Sequence, residues 1–394
     1  MHSNPKLFQT LAEIIESRPE RRITFAEYMD LALYHEPYGY YASEWSKIGG
    51  AGDFITSPHL SCDFGETLAV QFVEMWEILG RPSPFHLVEM GAGQGLICGD
   101  VLQYLRENHR DCLEVLDYAI VEKSPAMRGF QQGRLNPLAA KMGVKLRWCT
   151  WEEVGEESII GCLFSNELVD AFPVHQVVFE GGQLREIYVT VDGEGFAEVS
   201  GDLSTEAIAD YFDRLGIDWS ESHYPEGYRT EVNLAAVDWI DGVAAKLHCG
   251  YVLTVDYGYP ASRYYAPARD RGTLQCYYRH NYHDNPYLYV GQQDITAHVD
   301  FTTLEQRGQA RGLETLGRTQ QGLFLMALGW GDRLAALSRG ENLDISTVLQ
   351  RREVLHRAID PLGLGGFGVL VQCKGLDANR RQQSLRGLKT PPML

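Results

Sequence analysis

The chain has 394 residues, of which 44% are hydrophobic and 11% aromatic, so it can bury a large core and is neither a disordered nor a fibrous sequence. Its 35 lysines and arginines stand against 53 aspartates and glutamates, which gives a formal net charge of -18 at pH 7. No stretch concentrates enough basic residues to follow a phosphate backbone, so nucleic acid is not expected as a partner, whereas a basic protein segment would be attracted.

The cysteines and the N-terminal segment indicate the cellular compartment in which the protein is expected. The eight cysteines are scattered without a CxxC pair, which favours reduced, mostly buried thiols over a zinc site or a disulfide framework. The first residues lack the apolar segment of a secretory signal and are too acidic for an organelle transit peptide, and no segment approaches a membrane span. We therefore expect a cytoplasmic protein without a membrane span.

The N-terminal part of the chain is predicted to be helical. Helices are expected at 7–17 and 24–34, and Thr24 with Glu27 forms a capping box at the start of the second. These helices belong to a predicted N-terminal cap over residues 1–84, which also carries a loop suited to closing over a ligand.

From residue 85 onwards, strands and helices alternate, which is typical of a mostly parallel sheet with helices on both faces. The predicted strands are 85–90, 117–123, 144–149 and 159–168, and the predicted helices between them are 96–107 and 125–142. The fold class is therefore α/β and Rossmann-like, and such a sheet binds its ligand at the carboxyl ends of the strands.

The second half of the chain adds two insertions to this sheet. The first insertion, at about 174–230, contains three segments that alternate at period two (174–180, 183–191 and 196–200) and predict an antiparallel β meander. The second, at 259–300, is a long aromatic segment. The remaining core elements are a helix at 231–247 and strands at 250–258, 313–318 and 366–374. The Rossmann-like domain thus spans residues 85–375, and residues 376–394 form a tail.

The segment HLVEMGAGQG (86–95) ends a predicted strand in three glycines, Gly91, Gly93 and Gly95. It does not fit a dinucleotide fingerprint, because Leu96 stands where that fingerprint needs a glycine, and it has no phosphate-binding lysine. Glu89 would repel a phosphate but attract ammonium and sulfonium groups, and a loop without side chains leaves room for a bulky ligand. These features favour S-adenosylmethionine as the ligand.

A second acid, Glu122, ends the next predicted strand, where a carboxylate can accept both ribose hydroxyls of that donor. The alternative is that the glycines only turn a strand into a helix and that Glu122 is an exposed acid. The glycines, Glu89 and Glu122 together favour the donor site. Trp151 and Glu152 are weaker candidates for an adenine pocket, because an ordinary loop explains them as well.

Several segments over nearly the whole chain resemble the MidA-like methyltransferases, relatives of the mitochondrial complex I assembly factor that methylates arginine. The segments are GDFITSP (52–58), EMGAGQG (89–95), VEKSP (121–125), NELVDAFPVHQ (166–176), DYG (256–258), GTLQCYYRH (272–280) and GQQDITAHVDFTTL (291–304). The resemblance implies a class I methyltransferase fold, S-adenosylmethionine as donor and, in the mitochondrial member, symmetric dimethylation of an arginine in a complex I subunit. His59 departs from the common pattern, which has a glutamate there.

The segment SNELVDAF predicts an acceptor site at the end of the fourth core strand. The donor methyl is already activated, so alignment of the nucleophile matters more than proton transfer, and a planar, protonated guanidinium suits paired carboxylates. Glu167 and Asp170 are three residues apart and can point into one cleft, with Asn166 beside them. The alternative is a strand-end cap in which Asn166 and Asp170 bond backbone amides.

Other polar residues have two interpretations. Asp53 and Phe54, in a glycine-flanked loop, can close over the donor or form a surface turn. Asp256, at the end of the fifth core strand, is predicted to face the cleft or to bond its neighbours. No metal site is expected, because the histidines near 280–298 lack cysteine partners and a helical pair, and Asp300 is a predicted N-cap for a helix at 301–312.

The sequence therefore predicts an S-adenosylmethionine-dependent methyltransferase that acts on a protein substrate presenting an arginine. The resemblance adds a respiratory complex I subunit as the acceptor, and a homodimer is the assembly we consider. Two alternatives stay open: a non-catalytic binding or assembly factor that keeps the donor pocket, and a small-molecule methyltransferase.

Overall fold

The computed structural model of the protein describes residues 3–43, 57–219, 223–279, 281–339 and 345–391. Its helices are α1 (Pro5–Ser17), α2 (Phe25–Tyr34), α3 (Tyr40–Ser43), α4 (Ser57–Leu60), α5 (Asp63–Ile78), α6 (Leu96–Asn108), α7 (Arg110–Glu114), α8 (Pro125–Met142), α9 (Glu206–Leu215), α10 (Leu234–Lys246), α11 (Ala261–Tyr264), α12 (Phe301–Ala310), α13 (Gln321–Ala327), α14 (Trp330–Arg339), α15 (Ile345–Ile359) and α16 (Ala378–Arg381). Its strands are β1 (Arg22–Thr24), β2 (Phe85–Met90), β3 (Leu116–Val121), β4 (Lys145–Cys149), β5 (Ile159–Asn166), β6 (His175–Glu180), β7 (Gln183–Asp192), β8 (Gly195–Gly201), β9 (Arg229–Val232), β10 (Leu247–Asp256), β11 (Gly258–Tyr259), β12 (Gln275–Tyr278), β13 (Asn281–His283), β14 (Asp294–Thr296), β15 (Val299–Asp300), β16 (Glu314–Gln320) and β17 (Gly368–Lys374).

The described residues divide into two compact units. The first unit contains 3–43, 169–219, 223–240, 258–279 and 281–307. The second unit contains 57–168, 241–257, 308–339 and 345–391. Helix α5, which the sequence places in the N-terminal cap, lies in the second unit, and the domain boundaries drawn from the sequence stay a prediction.

The second unit is built on a seven-stranded sheet with the order β16-β17-β10-β5-β2-β3-β4. Strands β10, β5, β2, β3 and β4 are parallel, and β17 is antiparallel to both of its neighbours. The predicted α/β class is confirmed. The chain passes from β2 outward to β4 and resumes on the other side of β2 with β5, so the strand order reverses at the β2–β5 pair, where a sheet of this kind opens a ligand crevice.

The strands of this unit carry apolar residues because the sheet is buried in its core. Helices α5 and α6 cover one face, and the ring of Phe72 in α5 lies 4.8 Å from that of Phe164 in β5. Buried strands of a parallel sheet carry nearly continuous apolar runs, so the polar Glu89 near the end of β2 stands out. A polar residue at that place is a candidate for function.

The first unit is mostly antiparallel. Strands β1, β7, β6 and β9 pair in that order, β8 joins β7, and β12 pairs with β13 and β14. Helices α1 and α2 pack in a core with Val174, Val189 and Ile295, and the hydroxyl of Thr24 accepts the N–H of Glu27 at 3.1 Å, as the capping box predicts. The long aromatic segment contains α11 and strands β11 to β15, which the sequence did not predict individually.

None of the helices described in the structure is long and apolar enough to cross a membrane.

Candidate functional site

The loop between β2 and α6 adopts left-handed conformations at all three glycines, with φ of 70° at Gly91, 51° at Gly93 and 73° at Gly95. A Cβ on Gly91 would lie 2.6 Å from Cδ1 of Leu168, and one on Gly95 would lie 2.7 Å from Cδ1 of Leu135. A Cβ on Gly93 would meet nothing within 4 Å. Packing therefore requires two of the glycines, whereas the third borders open space in which a ligand can lie.

Glu89 lies directly behind this loop and is only 2% exposed. Its Oε2 accepts the hydroxyl hydrogen of Tyr118 at 2.7 Å. Burial and, to a smaller extent, the nearby Asp100 raise the pKa of Glu89 to about 8, while the hydrogen bond from Tyr118 opposes this shift. Without a nearby cation the carboxyl holds its proton at neutral pH, and a cationic ligand would favour its ionised form.

Asp100 extends this acidic region into α6. Burial raises its pKa to about 7, and Glu66 adds to the shift while Arg134 opposes it. Two neighbouring carboxyls with raised pKa values make the region receptive to positive charge.

Glu122 follows β3, and both of its carboxyl oxygens have partners. Its Oε1 accepts the N–H of Ser124 at 2.9 Å, and its Oε2 accepts an Nε2 hydrogen of Gln131 at 2.9 Å. Burial raises the pKa of Glu122, while these hydrogen bonds and Arg128 lower it. Each carboxylate oxygen has a second lone pair, so the group can still accept ribose hydroxyls.

Gln131 is a functional candidate that sequence reasoning missed. Its Nε2 also donates to the carbonyl of Gly93 at 2.8 Å, so it connects Glu122 with the glycine loop. A signal was present: the helix that begins at Pro125, three residues after Glu122, carries a glutamine on its second turn.

The residues around this loop fit the predicted donor. The side of Gly93 is open for a bulky group, Glu122 offers acceptor sites to hydroxyls, and Glu89 responds to positive charge. Each property suits one part of S-adenosylmethionine.

The turn after β5 is held in a strained conformation. Glu167 has φ of 50°, which is unusual for a residue with a side chain, and its N–H donates to the carbonyl of Val255 at 2.9 Å. The N–H of Leu168 donates to Oδ2 of Asp256 at 3.2 Å, and Asp256 is completely buried. Strain of this kind persists only where the surroundings hold it, and it is common at active sites. Asp256 is therefore placed to hold the turn.

Asn166 precedes this turn. Its Nδ2 donates to Oε1 of Glu167 at 3.1 Å. Its Oδ1 is buried and has no hydrogen-bond partner among the residues that the structure describes. An unpaired buried acceptor costs about 1–3 kcal/mol, so an N–H donor from a ligand would be stabilised there.

Asp170 belongs to the first unit, in a 3-10 turn at Val169–Ala171, and is 2% exposed. Its carbonyl accepts the N–H of Ala297 at 2.9 Å. Burial raises the pKa of the Tyr41 phenol, and the nearby Asp294 and Asp170 add to that shift. Tyr41 donates to the carboxylate of Asp294, with oxygens at 2.9 and 3.0 Å. Glu167 lies in the other unit, so the pairing of Glu167 with Asp170 stays a prediction.

The remaining candidates are distributed differently. Asp53 and Phe54 lie outside the described residues. His59 is half-buried, and its pKa is lowered by burial and by Arg134, so its imidazole is neutral near pH 7. Asp300 accepts the N–H of Thr302 at 3.0 Å at the start of α12, as the N-cap prediction requires. Over the described ranges, no group of three or more histidines, cysteines and carboxylates could hold a metal ion.

Comparisons with known proteins bear directly on this region. Residues 67–319 match a family model described as "Putative S-adenosyl-L-methionine-dependent methyltransferase". That match includes the glycine loop, Glu122 and the turn after β5, and the resemblance predicted from the sequence motifs is confirmed.

Curated relatives match most of the chain. The chain is 29% identical over 378 residues to the mitochondrial protein arginine methyltransferase NDUFAF7 homolog of Drosophila melanogaster, which covers 90% of this chain and 80% of that protein. It is 30% identical over 359 residues to the mitochondrial protein arginine methyltransferase NDUFAF7 of Rattus norvegicus, covering 85% and 77%. The Homo sapiens protein of that name is 27% identical over 395 residues, covering 93% and 84%.

These relatives contradict the expected cytoplasmic location, because their names place them in mitochondria. That expectation rested on scattered thiols and on the acidity of the first residues. Unpaired thiols argue against an oxidising compartment but do not distinguish one reducing compartment from another.

Two solved structures match nearly the whole length of the chain. A protein from Burkholderia thailandensis, crystallised with S-adenosyl-homocysteine, has a TM-score of 0.83 and 31% identity, and the match covers 97% of this chain and 94% of that one. A second crystal structure of a protein from Burkholderia thailandensis has a TM-score of 0.81 and 30% identity, covering 98% and 94%.

Proposed function

The chain belongs to a family of S-adenosyl-L-methionine-dependent methyltransferases, and we propose that it methylates an arginine side chain of a protein substrate. The enzyme class and the donor are those predicted from the glycine loop. The choice of arginine is supported by the relatives that carry this activity in their names. The observation that carries it is the strained turn after β5, where Glu167 and the unpaired oxygen of Asn166 offer two acceptors side by side.

The donor supplies a methyl group that its sulfonium has already activated. The residues proposed to hold it are the glycine loop, Glu122 at the ribose hydroxyls and Glu89 near the positive charge. Asp53 and Phe54 are proposed to close over it. The chain's own task is then to bind, align and desolvate the acceptor.

The acceptor side needs groups that bind a planar cation through several N–H donors. Glu167 supplies a carboxylate, and the hydrogen bond from Asn166 Nδ2 fixes its direction. The Oδ1 of Asn166 can accept a further N–H from a guanidinium. Asp170 is proposed as the second carboxylate, and Asp256 as the residue that positions Glu167.

Leu168 connects the glycine loop of the donor side with the turn after β5 on the acceptor side. Its side chain packs against the Cα of Gly91, so closely that a Cβ there would lie 2.6 Å away, and its N–H is bound by Asp256. A shift of the turn after β5 therefore disturbs the donor loop. This contact supports methyl transfer at the β2–β5 crevice.

Two finer statements rest on family resemblance. An acceptor in a respiratory complex I subunit, with a role in the assembly of that complex, is proposed from the relationship to the mitochondrial assembly factor. A homodimer stays a prediction that light scattering of the purified protein would test.

The proposal is tested by quantitative mass spectrometry of arginine methylation in cells with and without the protein. We expect specific arginine methylation to disappear without the protein and to return when the wild-type gene is restored. The Glu167→Gln variant, expressed at the same level, should not restore it. An unchanged arginine methylome together with lost methylation of another residue or of a small molecule would contradict the proposal.

A further inference from the structure

Gln131 is a completely buried glutamine at the centre of the donor side. Its Nε2 lies 2.8 Å from the carbonyl oxygen of Gly93 and 2.9 Å from Oε2 of Glu122. Its Oε1 accepts the indole N–H of Trp148 at 3.0 Å. One side chain thus connects the glycine loop, the end of β3 and strand β4.

The hydrogen bonds define the orientation of this amide. An indole N–H can only donate, so the oxygen of Gln131 must face Trp148. The two hydrogens of its NH2 group then face the two acceptors, the carbonyl of Gly93 and the carboxylate of Glu122. The reversed amide would place oxygen against two oxygens, so the arrangement has one stable form.

Helix α8 brings this amide to the loop. The helix begins at Pro125, and the hydroxyl of Ser124 accepts the N–H of Met127 at 3.3 Å as its cap. Because the N–H of Ser124 also binds Glu122, the start of the helix and the acid have a common anchor. The position of Gln131 relative to Glu122 is therefore set by the helix.

We propose that Gln131 is the positioning residue of the donor site: it sets the directions of the Gly93 carbonyl and the Glu122 carboxylate before the ligand binds. The Gln131 amide occupies one acceptor position on Oε2 of Glu122 and the N–H of Ser124 one on Oε1, and the acceptor capacity that remains is directed at the vicinal hydroxyls of a ribonucleoside. This role rests on the donor site described above and does not depend on the nature of the methyl acceptor.

The electrostatics of Glu122 give this role a signature. Burial raises the pKa of Glu122, and the N–H groups of Ser124 and Gln131 lower it. Arg128 of α8 and a backbone hydrogen bond from Lys123 also lower it, and β4 contributes the carbonyl of Cys149, which accepts the backbone N–H of Glu122 at 3.3 Å. If the Gln131 hydrogen bond is removed, the pKa of Glu122 rises, so a ligand that needs the carboxylate is lost at higher pH as the solution is acidified.

The test is calorimetric titration of the full-length protein with S-adenosyl-homocysteine across mildly acidic to mildly alkaline pH. Gln131→Met keeps the length of the side chain and removes its hydrogen bonds. We expect a loss of affinity of about tenfold to a hundredfold, because a hydrogen bond to a charged group is removed. The acidic side of its pH profile should also move to higher pH.

Gln132→Met, a substitution of the neighbouring half-buried glutamine of α8, is the matched control and should bind like the wild type. Glu122→Gln should weaken binding, remove the acidic limb of the profile and make the additional effect of Gln131→Met much smaller, because the two residues act through one contact.

A merely structural role for Gln131 would lower the melting temperature of the free protein and leave the affinity and the pH profile of the folded fraction unchanged, which would overturn the proposal. Unchanged affinity in both the Gln131→Met and the Glu122→Gln variants would overturn the donor site as well. If Gln131→Met weakens donor binding but the wild-type protein methylates no arginine, the proposed acceptor is contradicted and the role of Gln131 stands.

Discussion

The loop after β2 and the turn after β5 follow neighbouring parallel strands, but their polar groups are satisfied in different ways. In the loop region, Gln131 donates a hydrogen bond to Glu122, and the hydroxyl of Tyr118 donates one to the carboxyl of Glu89. In the turn, Glu167 holds a strained backbone and Asn166 keeps a buried oxygen unpaired. The proposed donor side thus has its polar groups paired internally, whereas the proposed acceptor side keeps a buried oxygen that a substrate N–H would pair.

This difference has a physical consequence. A preformed site binds its ligand without a cost for ordering side chains, so its affinity depends on the network behind it. A site with an unpaired buried acceptor is instead stabilised by the ligand that pairs it. Substitutions on the two sides should therefore change different quantities, donor affinity on one side and methyl transfer on the other.

The largest expected effect is that of Glu167→Gln on methyl transfer. The amide keeps the size of the side chain but removes the charge that aligns a guanidinium, so transfer should fall about a hundredfold. Affinity for S-adenosyl-homocysteine should not change. Single-turnover transfer and calorimetry on the same preparation measure both quantities.

Glu157→Gln is the matched control for that substitution. Glu157 is an exposed glutamate that also has a positive φ, of 47°, so its replacement reproduces the change in charge and the backbone conformation outside the site. Its transfer rate should equal that of the wild type. A loss of donor affinity in Glu167→Gln would contradict the assignment of Glu167 to the acceptor side alone.

Gly93→Ala should act on the donor side alone. The added Cβ meets no protein atom but enters the space assigned to the donor, so affinity should fall at least about tenfold. The left-handed backbone adds about 1 kcal/mol of destabilisation. Calorimetry and thermal unfolding separate the two effects.

Gly143→Ala provides the comparison for that variant. Gly143 has φ of 70° and, like Gly93, would place a Cβ in open space, but it ends α8 away from the loop. It should show the same loss of stability and normal donor affinity. If the two alanine variants bind equally well, the donor does not lie against Gly93.

Asp256→Asn should have a smaller effect and should act through position. The two carboxylate oxygens of Asp256 accept the N–H groups of Leu168 and Tyr257. An asparagine has one oxygen, so it can accept only one of these N–H groups, and its NH2 group would then face the other. Unfolding should become easier by about 1–2 kcal/mol, and transfer should fall less than in Glu167→Gln. Urea unfolding and transfer rates check this, and normal stability with fully lost transfer would instead assign Asp256 to direct contact with the substrate.

The smallest effect concerns pH and Glu89. Its free-state pKa is raised to about 8, and a cationic donor favours the carboxylate, so affinity for S-adenosylmethionine should rise as pH increases toward that value. A change of roughly two- to fivefold is expected, with release of part of a proton on binding. Calorimetry near pH 8 in buffers of different ionisation enthalpy measures this proton, and Glu89→Gln should remove the part of the release that is centred near that pH. A pH-independent affinity in the wild type would remove Glu89 from the donor's surroundings.

Much of the second unit could be predicted because its signals are local. The apolar strands, the glycines and the acid after β3 stand at regular spacing, and Ser124 caps the start of α8. In the first unit, Thr24 marks the start of α2 in the same way. Such patterns depend on neighbours in sequence and survive without tertiary information.

The interactions behind the site were not predictable, because they join distant segments. Asp256 binds a backbone N–H 88 residues earlier in the chain, and Tyr118 on β3 donates to Glu89 on the neighbouring strand β2. The positive φ of Glu167 could not be predicted either, because glutamate is not a residue type that favours this conformation. The sequence placed Glu167 and Asp170 in one motif, but the structure assigns them to different units, a division that spacing alone does not reveal.

A crystal structure with S-adenosyl-homocysteine tests the division between a preformed donor side and a substrate-completed acceptor side most directly. We predict that the ribose hydroxyls lie within hydrogen-bonding distance of Glu122 and that Gly93 and Gln131 keep their present contact. The Oδ1 of Asn166 should acquire a donor only when an arginine peptide is added. A ribose bound away from Glu122, or a glycine loop that refolds around the ligand, would contradict the account.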